Sequence, residues 1–285
     1  WRVLCPAKLF GLGVFINKAL ATLPLFRKLS LRHFVVARLR PNDSWQDQSV
    51  TVVIPCRNEQ GNIEEVVNRL PKLGTHTQVI FVEGHSDDNT WSEIIRVIGL
   101  NPSMDIKAIQ QSGVGKGNAV REGFQKAKGD VLMILDADLT VAPEDLPKFY
   151  AEIASGRGEY INGSRLVYSM ESEAMRFLNY LANRSFASIF SFLLNQSYSD
   201  TLCGTKVIGR KHYEKLIGGR PYFGDFDPFG DFDLIFGATK LNLKISEVPI
   251  RYRKRQYGVT QISRFRHGIL LIRMVVFAFR KLKLV

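Results

Sequence analysis

The sequence predicts an α/β fold with a mainly parallel central sheet, and three features lead to that expectation. Five consecutive apolar residues at 131–135 are typical of a strand buried on both faces of a sheet. Runs rich in β-branched residues at 50–55 and 78–82 indicate further strands. The runs at 50–55 and 78–82 are each followed by a polar loop and a segment of helical spacing. This repeated order is typical of parallel strands joined by right-handed crossover helices.

The elements can be assigned in chain order. The first strand, 50–55, leads to a helical segment at 61–70, in which Ile63, Val66 and Val67 share one face. The next predicted elements are a strand at 78–82, a helix from about Thr90 to Ile98, a strand at 106–109, a helix that begins near Gly117 and the strand at 131–135. Loops that follow parallel strands meet at one edge of the sheet, which is where ligands bind in folds of this class.

Length and composition indicate a globular protein from a reducing compartment. With 285 residues and 45% hydrophobic content, the chain can bury a large core, as one large domain or as one domain with appendages. The three cysteines, Cys5, Cys56 and Cys203, lie far apart and form no Cys-x-x-Cys motif. This pattern predicts neither a disulfide framework nor a zinc site.

The net charge of +12 is concentrated at the two ends of the chain. Residues 1–40 contain eight Lys or Arg, residues 251–285 contain ten, and neither segment contains an acid. Nucleic acid or anionic lipid headgroups could explain such ends. Both segments are also rich in Leu, Ile, Val and Phe, which favours a membrane surface. We therefore expect no nucleic-acid partner and a peripheral location on the cytoplasmic face of a membrane.

The chain divides into three predicted parts: a basic amphipathic segment at 1–45, an α/β domain at 46–262 and a basic amphipathic helix at 263–285. The first part lies either on a membrane or against a fused or neighbouring N-terminal domain. Arginines recur at seven-residue intervals in the last part, at positions 266, 273 and 280. A charge inside this apolar run makes crossing the bilayer costly. The helix is therefore expected either at the membrane interface or packed on the α/β domain.

The strand at 131–135 ends at two carboxylates, Asp136 and Asp138. In an extended segment, residues i and i+2 point the same way, so both side chains can converge at the carboxyl end of the strand. Such oxygen ligands suit Mg²⁺ or Mn²⁺, and a diphosphate can fill further coordination positions. The alternative is a solvated Asp-Ala-Asp turn that caps the next helix.

Other loops at the same edge carry residues suited to a nucleotide. Asp87 or Asp88 could accept a hydrogen bond from a base or a ribose, and Lys116 could place a positive charge beside a phosphate. Glycines beside this lysine allow close approach of the backbone: Gly113, Gly115 and Gly117. For each loop taken alone, a solvated turn is the favoured interpretation. Together at one edge, they favour a nucleotide site.

These motifs, in this order, resemble those of family 2 glycosyltransferases. The segments that carry the resemblance are Val53-Ile54-Pro55 with Asn58-Glu59, Gly84-His85-Ser86-Asp87-Asp88, Gly115-Lys116-Gly117-Asn118-Ala119 and Asp136-Ala137-Asp138. They are most similar to the branch that transfers sugars to dolichyl and undecaprenyl phosphate. The resemblance covers about residues 48–262. It implies the GT-A fold, a Rossmann-like nucleotide-diphospho-sugar transferase domain.

The resemblance also implies roles for individual residues. Asp136 and Asp138 would bind Mg²⁺ or Mn²⁺, which grips the donor diphosphate. The residues expected to contact the nucleotide-sugar are Pro55, Arg57, Glu59, Asp87, Lys116, Asp136 and Arg165. The residues expected at the reaction centre are Asp138, Asp200 and Arg255, with Arg255 binding phosphate from the acceptor loop. The alternatives are surface ion pairs for the two arginines and a helix or turn cap for Asp200.

The sequence departs from the pattern of that branch at two places. Thr140 stands where the branch often has Gln or His, so the third metal ligand is left open. Thr260 and Gln261 stand where it often has Ser and Lys. A further acidic segment, with Asp residues at 225, 227, 231 and 233, resembles a metal cluster. The phenylalanines between them favour instead an aromatic loop followed by a helix from about Asp231.

The sequence therefore predicts an inverting, metal-dependent glycosyltransferase. The donor would be a UDP- or GDP-sugar and the acceptor a polyprenyl-phosphate lipid at the membrane surface. The alternative acceptor is a saccharide hydroxyl in polysaccharide or cell-envelope glycan synthesis. A carboxylate would then have to take a proton, and Asp200 is the candidate base. Two other classes are less compatible with these motifs: a sugar-nucleotide pyrophosphorylase and a non-catalytic membrane-binding module.

Overall fold

The computed structural model divides into two compact units. The terminal unit comprises Trp1–Arg40, Ser185–Tyr198 and Ile262–Val285, and the sheet unit comprises Pro41–Arg184 and Ser199–Gln261. The residues described are 2–6, 9–33, 37, 47–168, 177–220, 230, 232–255, 257–258 and 264–284. Thr260, Gln261 and three of the four aspartates in the acidic segment, all but Asp233, lie outside these ranges.

The described residues form nine strands and ten α-helices. The strands are β1 (Arg2–Val3), β2 (Arg32–His33), β3 (Val50–Cys56), β4 (Thr77–Glu83), β5 (Asp105–Gln110), β6 (Val131–Ile134), β7 (Tyr160–Ser164), β8 (Lys206–Gly209) and β9 (Ile245–Pro249). The helices are α1 (Leu12–Lys18), α2 (Pro24–Arg27), α3 (Ile63–Arg69), α4 (Thr90–Leu100), α5 (Lys116–Lys126), α6 (Leu146–Ala154), α7 (Phe177–Leu194), α8 (Arg210–Gly219), α9 (Phe232–Lys240) and α10 (Arg264–Phe279).

The sheet unit is built on a seven-stranded sheet in the order β5-β4-β3-β6-β8-β7-β9. Strands β3 to β6 are mutually parallel, as predicted, and Ile54 of β3 pairs with Phe81 of β4. Strand β8 runs antiparallel to both of its neighbours, while β7 and β9 are parallel to each other. The sheet is therefore mainly parallel, with a single reversed strand among those described.

Helices cover both faces of this sheet, which explains the uninterrupted apolar strands. All four residues of β6 are fully buried. On one face, side chains of α3, α4 and α6 pack on the strands, with Ile63, Ile94 and Phe149 in the core. On the other face, α5 contacts β3 and β4. A Cβ at Gly123 would lie 3.1 Å from the Val82 side chain, so this glycine lets α5 approach the sheet closely.

The terminal unit contains the pair of short strands β1 and β2, the helices α1, α2 and α10, and part of α7. Asn17 of α1 accepts hydrogen bonds from the backbone N–H groups of Leu4 and Cys5, each at 2.7 Å. In helix α10, Leu271 and Met274 are buried, whereas Ile272 and Arg273 are exposed. Within the described ranges, no helix combines the length and apolar character needed to cross a bilayer.

Candidate functional site

The two predicted metal-binding carboxylates lie at the carboxyl edge of the sheet, just after β6. Each one pairs with a basic side chain from another part of the sheet unit. The Lys116 ammonium lies 2.7 Å from Asp136 Oδ1, and the Arg255 guanidinium lies 2.6 Å from Asp138 Oδ2. Lys116 is the first residue of α5, whereas Arg255 belongs to the segment after β9. The structure thus brings four of the predicted site residues together.

Thr140 orients Asp138. Its hydroxyl donates to Asp138 Oδ1 at 2.7 Å, and its backbone N–H donates to the same oxygen at 3.1 Å. The residue between them, Leu139, has a φ of +56°, which turns the chain back so that Thr140 faces the carboxylate. Thr140 therefore contacts the Asp138 carboxylate directly and restricts its rotation, a role that the sequence pattern did not indicate.

Gly204 packs directly against the Asp136 carboxylate. A Cβ on Gly204 would overlap Asp136 Oδ2 and would lie 2.6 Å from Lys116 Nζ. The absence of a side chain at position 204 therefore lets the backbone lie against Asp136 without displacing its carboxylate. No group of three His, Cys, Asp or Glu suited to a metal occurs among the residues that the structure describes. Asp136 and Asp138 fit a divalent ion whose remaining positions are filled by water and phosphate oxygens.

Glu59, predicted to contact the nucleotide, is buried beside the predicted metal-binding residues. Its Oε1 lies 3.1 Å from Arg255, and its Oε2 accepts a hydrogen bond from Asn62 at 2.6 Å. Burial raises the pKa of Glu59 to about 7, although Arg255 and Asn62 act to lower it and Asp138 adds a further increase. A single guanidinium thus links two acidic side chains, Glu59 and Asp138.

The loop after β4 carries the other nucleoside candidates. The Asp87 side chain is 85% exposed, and its Oδ2 lies 4.0 Å from Arg57. Its backbone N–H donates to Asn58 Oδ1 at 2.8 Å, which ties this loop to the one after β3. Asp88, in contrast, accepts from the backbone N–H of Thr90 at 2.9 Å at the start of α4. Of the two neighbouring acids, Asp87 is therefore the one available to a ligand.

Pro55 and the glycine-rich loop complete this edge. Pro55 lies near the end of β3, opposite Val82 of β4. In the loop before α5, Asn118 Oδ1 accepts from the backbone N–H of Gly113 at 3.1 Å, and Gly115 has a φ of +89°. These features fix the backbone that places Lys116 at the start of its helix. The sequence motifs predict a role for Lys116 but none for Asn118, which supports it.

Arg165 and Asp200 form a buried ion pair with each other. Asp200 is fully buried, and its two oxygens accept from Arg165 at 2.6 and 2.9 Å. Burial acts to raise the pKa of Asp200, and the guanidinium outweighs it, so this pKa lies below its ordinary value. The interpretation of Arg165 as half of a surface ion pair is therefore wrong, because the pair is buried. Asp200 also accepts from the backbone N–H of Leu202 at 2.9 Å, as a turn cap does.

The segment after β9 folds over the loops of the parallel strands. The backbone N–H of Arg253 donates to the carbonyl of Thr140 at 2.9 Å. The ring of Tyr257 lies so close to Gly61 that a Cβ there would be 2.5 Å from it. The Tyr252 ring lies 5.1 Å from the Arg165 guanidinium. Gly61, just after the Asn-Glu loop, is the sequence signal that could have predicted the contact with Tyr257.

The acidic segment contributes a structural ion pair at its end. Helix α9 begins at Phe232, one residue from the predicted start. The Asp233 carboxylate contacts Arg220 at 3.0 Å and Arg121 at 3.3 Å. This aspartate is therefore paired with arginines, whereas the other three aspartates of the segment lie outside the described residues.

Comparison with known sequences identifies one family. The model for "Glycosyl transferase family 2" matches residues 51–217. A dolichol-phosphate mannosyltransferase of Pyrococcus furiosus is 33% identical over 137 residues, which are 47% of this chain and 38% of the relative. An undecaprenyl-phosphate 4-deoxy-4-formamido-L-arabinose transferase of Edwardsiella ictaluri is 33% identical over 220 residues, 74% of this chain and 62% of the relative. The chain thus spans less than two thirds of the length of these relatives.

Solved structures share the fold at low sequence identity. Glucosyl-3-phosphoglycerate synthase from Mycobacterium tuberculosis, in complex with phosphoglyceric acid, superposes with a TM-score of 0.60 at 17% identity. The similarity covers 82% of this chain and 80% of that one. The same enzyme with Mn²⁺, uridine-diphosphate and glucosyl-3-phosphoglycerate gives a TM-score of 0.56 at 16% identity.

Proposed function

The chain belongs to glycosyl transferase family 2 and has the GT-A fold, and from this premise we propose that it transfers a sugar from a UDP- or GDP-sugar to a polyprenyl-phosphate lipid. The observation that carries the proposal is the alternation of charge at the sheet edge. Asp136 and Asp138 each lie within 2.7 Å of a basic side chain, Lys116 and Arg255 respectively. A donor that carries both a divalent cation and a diphosphate needs acidic and basic groups side by side.

The mechanism follows from these charges. Asp136 and Asp138 would hold Mg²⁺ or Mn²⁺. When bound, this ion would neutralise negative charge on the leaving diphosphate. Lys116 and Arg255 would stabilise the negative charge that develops on the nucleoside diphosphate as its bond to the anomeric carbon breaks. An acceptor oxygen attacks that carbon from the opposite face, so the anomeric configuration inverts. Thr140 keeps Asp138 in one orientation during this step.

The burial of Asp200 favours a lipid phosphate over a saccharide hydroxyl as acceptor. A hydroxyl acceptor must lose a proton to a base, whereas a phosphate is already ionised. Both oxygens of Asp200 are occupied by Arg165, and its pKa is lowered. Asp200 is therefore poorly suited to the role of base that the sequence suggested. Arg165 is likewise occupied by this pair, so we propose a structural role for both residues.

Exposed basic residues next to Arg255 could attract an anionic acceptor. Arg251, Arg253 and Lys254 are exposed in the same segment. Their charges lie within a few residues of the guanidinium that reaches Asp138. This placement supports the inference that a phosphate group enters from the side of this segment.

The terminal unit supports the proposed location at a membrane surface. It exposes large apolar side chains in both its N-terminal and C-terminal parts, among them Phe10, Leu25, Leu29, Ile269 and Ile272. Basic residues accompany them, since Arg273 and Arg280 of the C-terminal helical segment are exposed. Apolar side chains beside basic ones are typical of segments that lie at the interface of an anionic membrane. Peripheral attachment to the cytoplasmic face is part of the proposal.

A donor panel with a polyprenyl-phosphate acceptor tests this function. Each UDP- and GDP-sugar would be supplied with Mg²⁺ or Mn²⁺, and labelled sugar would be measured in the lipid phase. We expect Asp138→Asn to lower transfer by about a hundredfold or more, whereas Asp145→Asn, at a surface ion pair with Lys148, should leave it unchanged. Transfer without a divalent ion, or no transfer from any donor, would refute the proposal. Label in an aqueous oligosaccharide instead would identify a hydroxyl acceptor.

A further inference from the structure

A row of three polar residues crosses the outer strands of the sheet behind the site. Asn162 of β7 is paired in register with Lys206 of β8 on one side and with Glu247 of β9 on the other. Asn162 is fully buried, and Lys206 is 1% exposed. An interior position for a lysine is costly unless an opposite charge or good acceptors lie close by.

The side chains of the row are joined to one another. Lys206 Nζ donates to Asn162 Oδ1 at 3.2 Å, and Asn162 Nδ2 donates to Glu247 Oε1 at 3.0 Å. The carboxamide therefore links the buried ammonium to a carboxylate two strands away. The positive charge of Lys206 and the negative charge of Glu247 thus offset each other across the Asn162 side chain.

Each member of the row also holds the loop at 199–204, which precedes β8. Glu247 Oε2 accepts from the backbone N–H of Ser199 at 2.8 Å and from its hydroxyl at 2.7 Å. Asn162 Nδ2 donates to the carbonyl of Asp200 at 2.6 Å, and Lys206 Nζ donates to the carbonyl of Cys203. The loop is thus fixed at its beginning and near its end by the same three side chains.

The end of this loop meets the proposed metal site. Gly204 lies against Asp136 and Lys116, where a Cβ would overlap the carboxylate. A displacement of the loop by less than the radius of an atom would press on Asp136 or leave a gap beside it. The position of the loop therefore determines the space available next to this metal-binding carboxylate.

We propose that Lys206, Asn162 and Glu247 form a positioning row that sets the geometry of Asp136 through the loop at 199–204. Glu247 contacts the loop only at its start, so it is a positioning residue and acts through the loop. This inference rests on the proposed function, because Asp136 is taken as a ligand of the catalytic ion. It assigns to Glu247 a role in the chemical step and in metal affinity, in addition to stability.

The first test is Glu247→Gln. Both carboxylate oxygens of Glu247 accept from donors, so the new amide nitrogen must face either the Asn162 Nδ2 donor or the Ser199 N–H, and Lys206 loses its opposite charge. We expect kcat to fall by at least about tenfold with a donor KM changed less than about threefold, because the loop shifts while the nucleoside loops stay in place. The matched control is Glu159→Gln. Glu159 lies just before β7, at the end of the strand far from the site, and its carboxylate accepts a hydrogen bond from the backbone N–H of Lys244 at 2.7 Å. This control should match the unaltered protein.

The second test adds Lys206→Met to Glu247→Gln. The double variant removes the uncompensated ammonium, so its melting temperature should recover towards that of the unaltered protein. The bond from Lys206 to the Cys203 carbonyl is still missing, so kcat should stay low. Recovery of kcat together with the melting temperature would show that the row is structural only and would overturn the inference. An unchanged kcat in folded Glu247→Gln would overturn it as well.

A binding measurement separates this inference from the proposed function. Mn²⁺ affinity in the presence of UDP can be measured by the electron paramagnetic resonance of free Mn²⁺, without turnover. We expect Glu247→Gln to bind Mn²⁺ about tenfold more weakly, with Glu159→Gln unchanged. If the unaltered protein transfers no sugar, the proposed function fails while this affinity still tests the row. Equal affinities in all three proteins would overturn the row and leave the proposed function standing.

Discussion

The substitution Asp200→Asn distinguishes a structural role for this residue from a role as catalytic base. Asp200 is fully buried, and its carboxylate accepts three hydrogen bonds from Arg165 and one from Leu202. An asparagine keeps one acceptor oxygen and presents an NH₂ group to the guanidinium. The Arg165 charge, on a side chain only 10% exposed, is then left without its partner in the interior.

The expected cost follows from that unpaired charge. Breaking a buried ion pair by removing one partner typically destabilises a protein by about 3 to 5 kcal/mol. The cost also depends on pH in a defined direction. The pKa of Asp200 is lowered in the folded protein, so its contribution is present above the ordinary carboxyl range and is lost as pH falls through the folded pKa. The difference in stability from the unaltered protein should therefore be largest near neutral pH and should narrow in acid.

Urea unfolding of the sheet unit within the full chain, followed by tryptophan fluorescence and circular dichroism, measures this difference. Asp145→Asn removes the surface pair with Lys148 and should cost less than about 1 kcal/mol. Adding Arg165→Met to Asp200→Asn should restore part of the lost stability, because it removes the unpaired charge. If Asp200→Asn unfolds like the unaltered protein while transfer falls about a hundredfold, the structural interpretation is wrong and Asp200 is the catalytic base.

Three further predictions concern other parts of the molecule. Gly204→Ala should abolish transfer in a folded protein, measured as sugar in the lipid phase, because its Cβ would overlap and displace the Asp136 carboxylate; transfer at the normal rate would show that the position of this carboxylate does not depend on Gly204. Glu59 has a pKa raised to about 7 by burial, so the unaltered protein should lose stability as pH rises from about 4.5 to 7, and Glu59→Gln should remove this dependence in urea unfolding. Ile272→Asp should weaken binding to vesicles that contain phosphatidylglycerol in a flotation assay, whereas Ile95→Asp, at another exposed isoleucine that belongs to the sheet unit, should not.

The parallel part of the sheet could be predicted because its strands are buried on both faces. Such strands form uninterrupted apolar runs, and the runs at 50–55, 78–82 and 131–135 all became strands within one residue at each end. The reversed strand β8 could not be predicted. It has four residues and begins with Lys206, whose burial depends on Asn162 and Glu247, far away in the sequence.

The site could be predicted only where loops follow those strands. Asp136, Asp138 and Lys116 were found because the carboxyl ends of parallel strands meet at one edge. The pairing of Arg255 with Asp138 joins residues 117 positions apart, and no local pattern specifies such a contact. The burial of Arg165 and Asp200 was missed for the same reason, since an arginine and an aspartate read one at a time are typical of a surface.

The guanidinium of Arg255 and the ammonium of Lys116 have a consequence for the protein without its ion. Together they offset most of the negative charge of Asp136, Asp138 and Glu59, which would otherwise repel one another at the sheet edge. The polypeptide thus supplies its own internal counter-ions. Treatment with a chelator should consequently abolish turnover but leave the melting temperature almost unchanged. Proteins whose folding depends on a structural metal unfold under the same treatment.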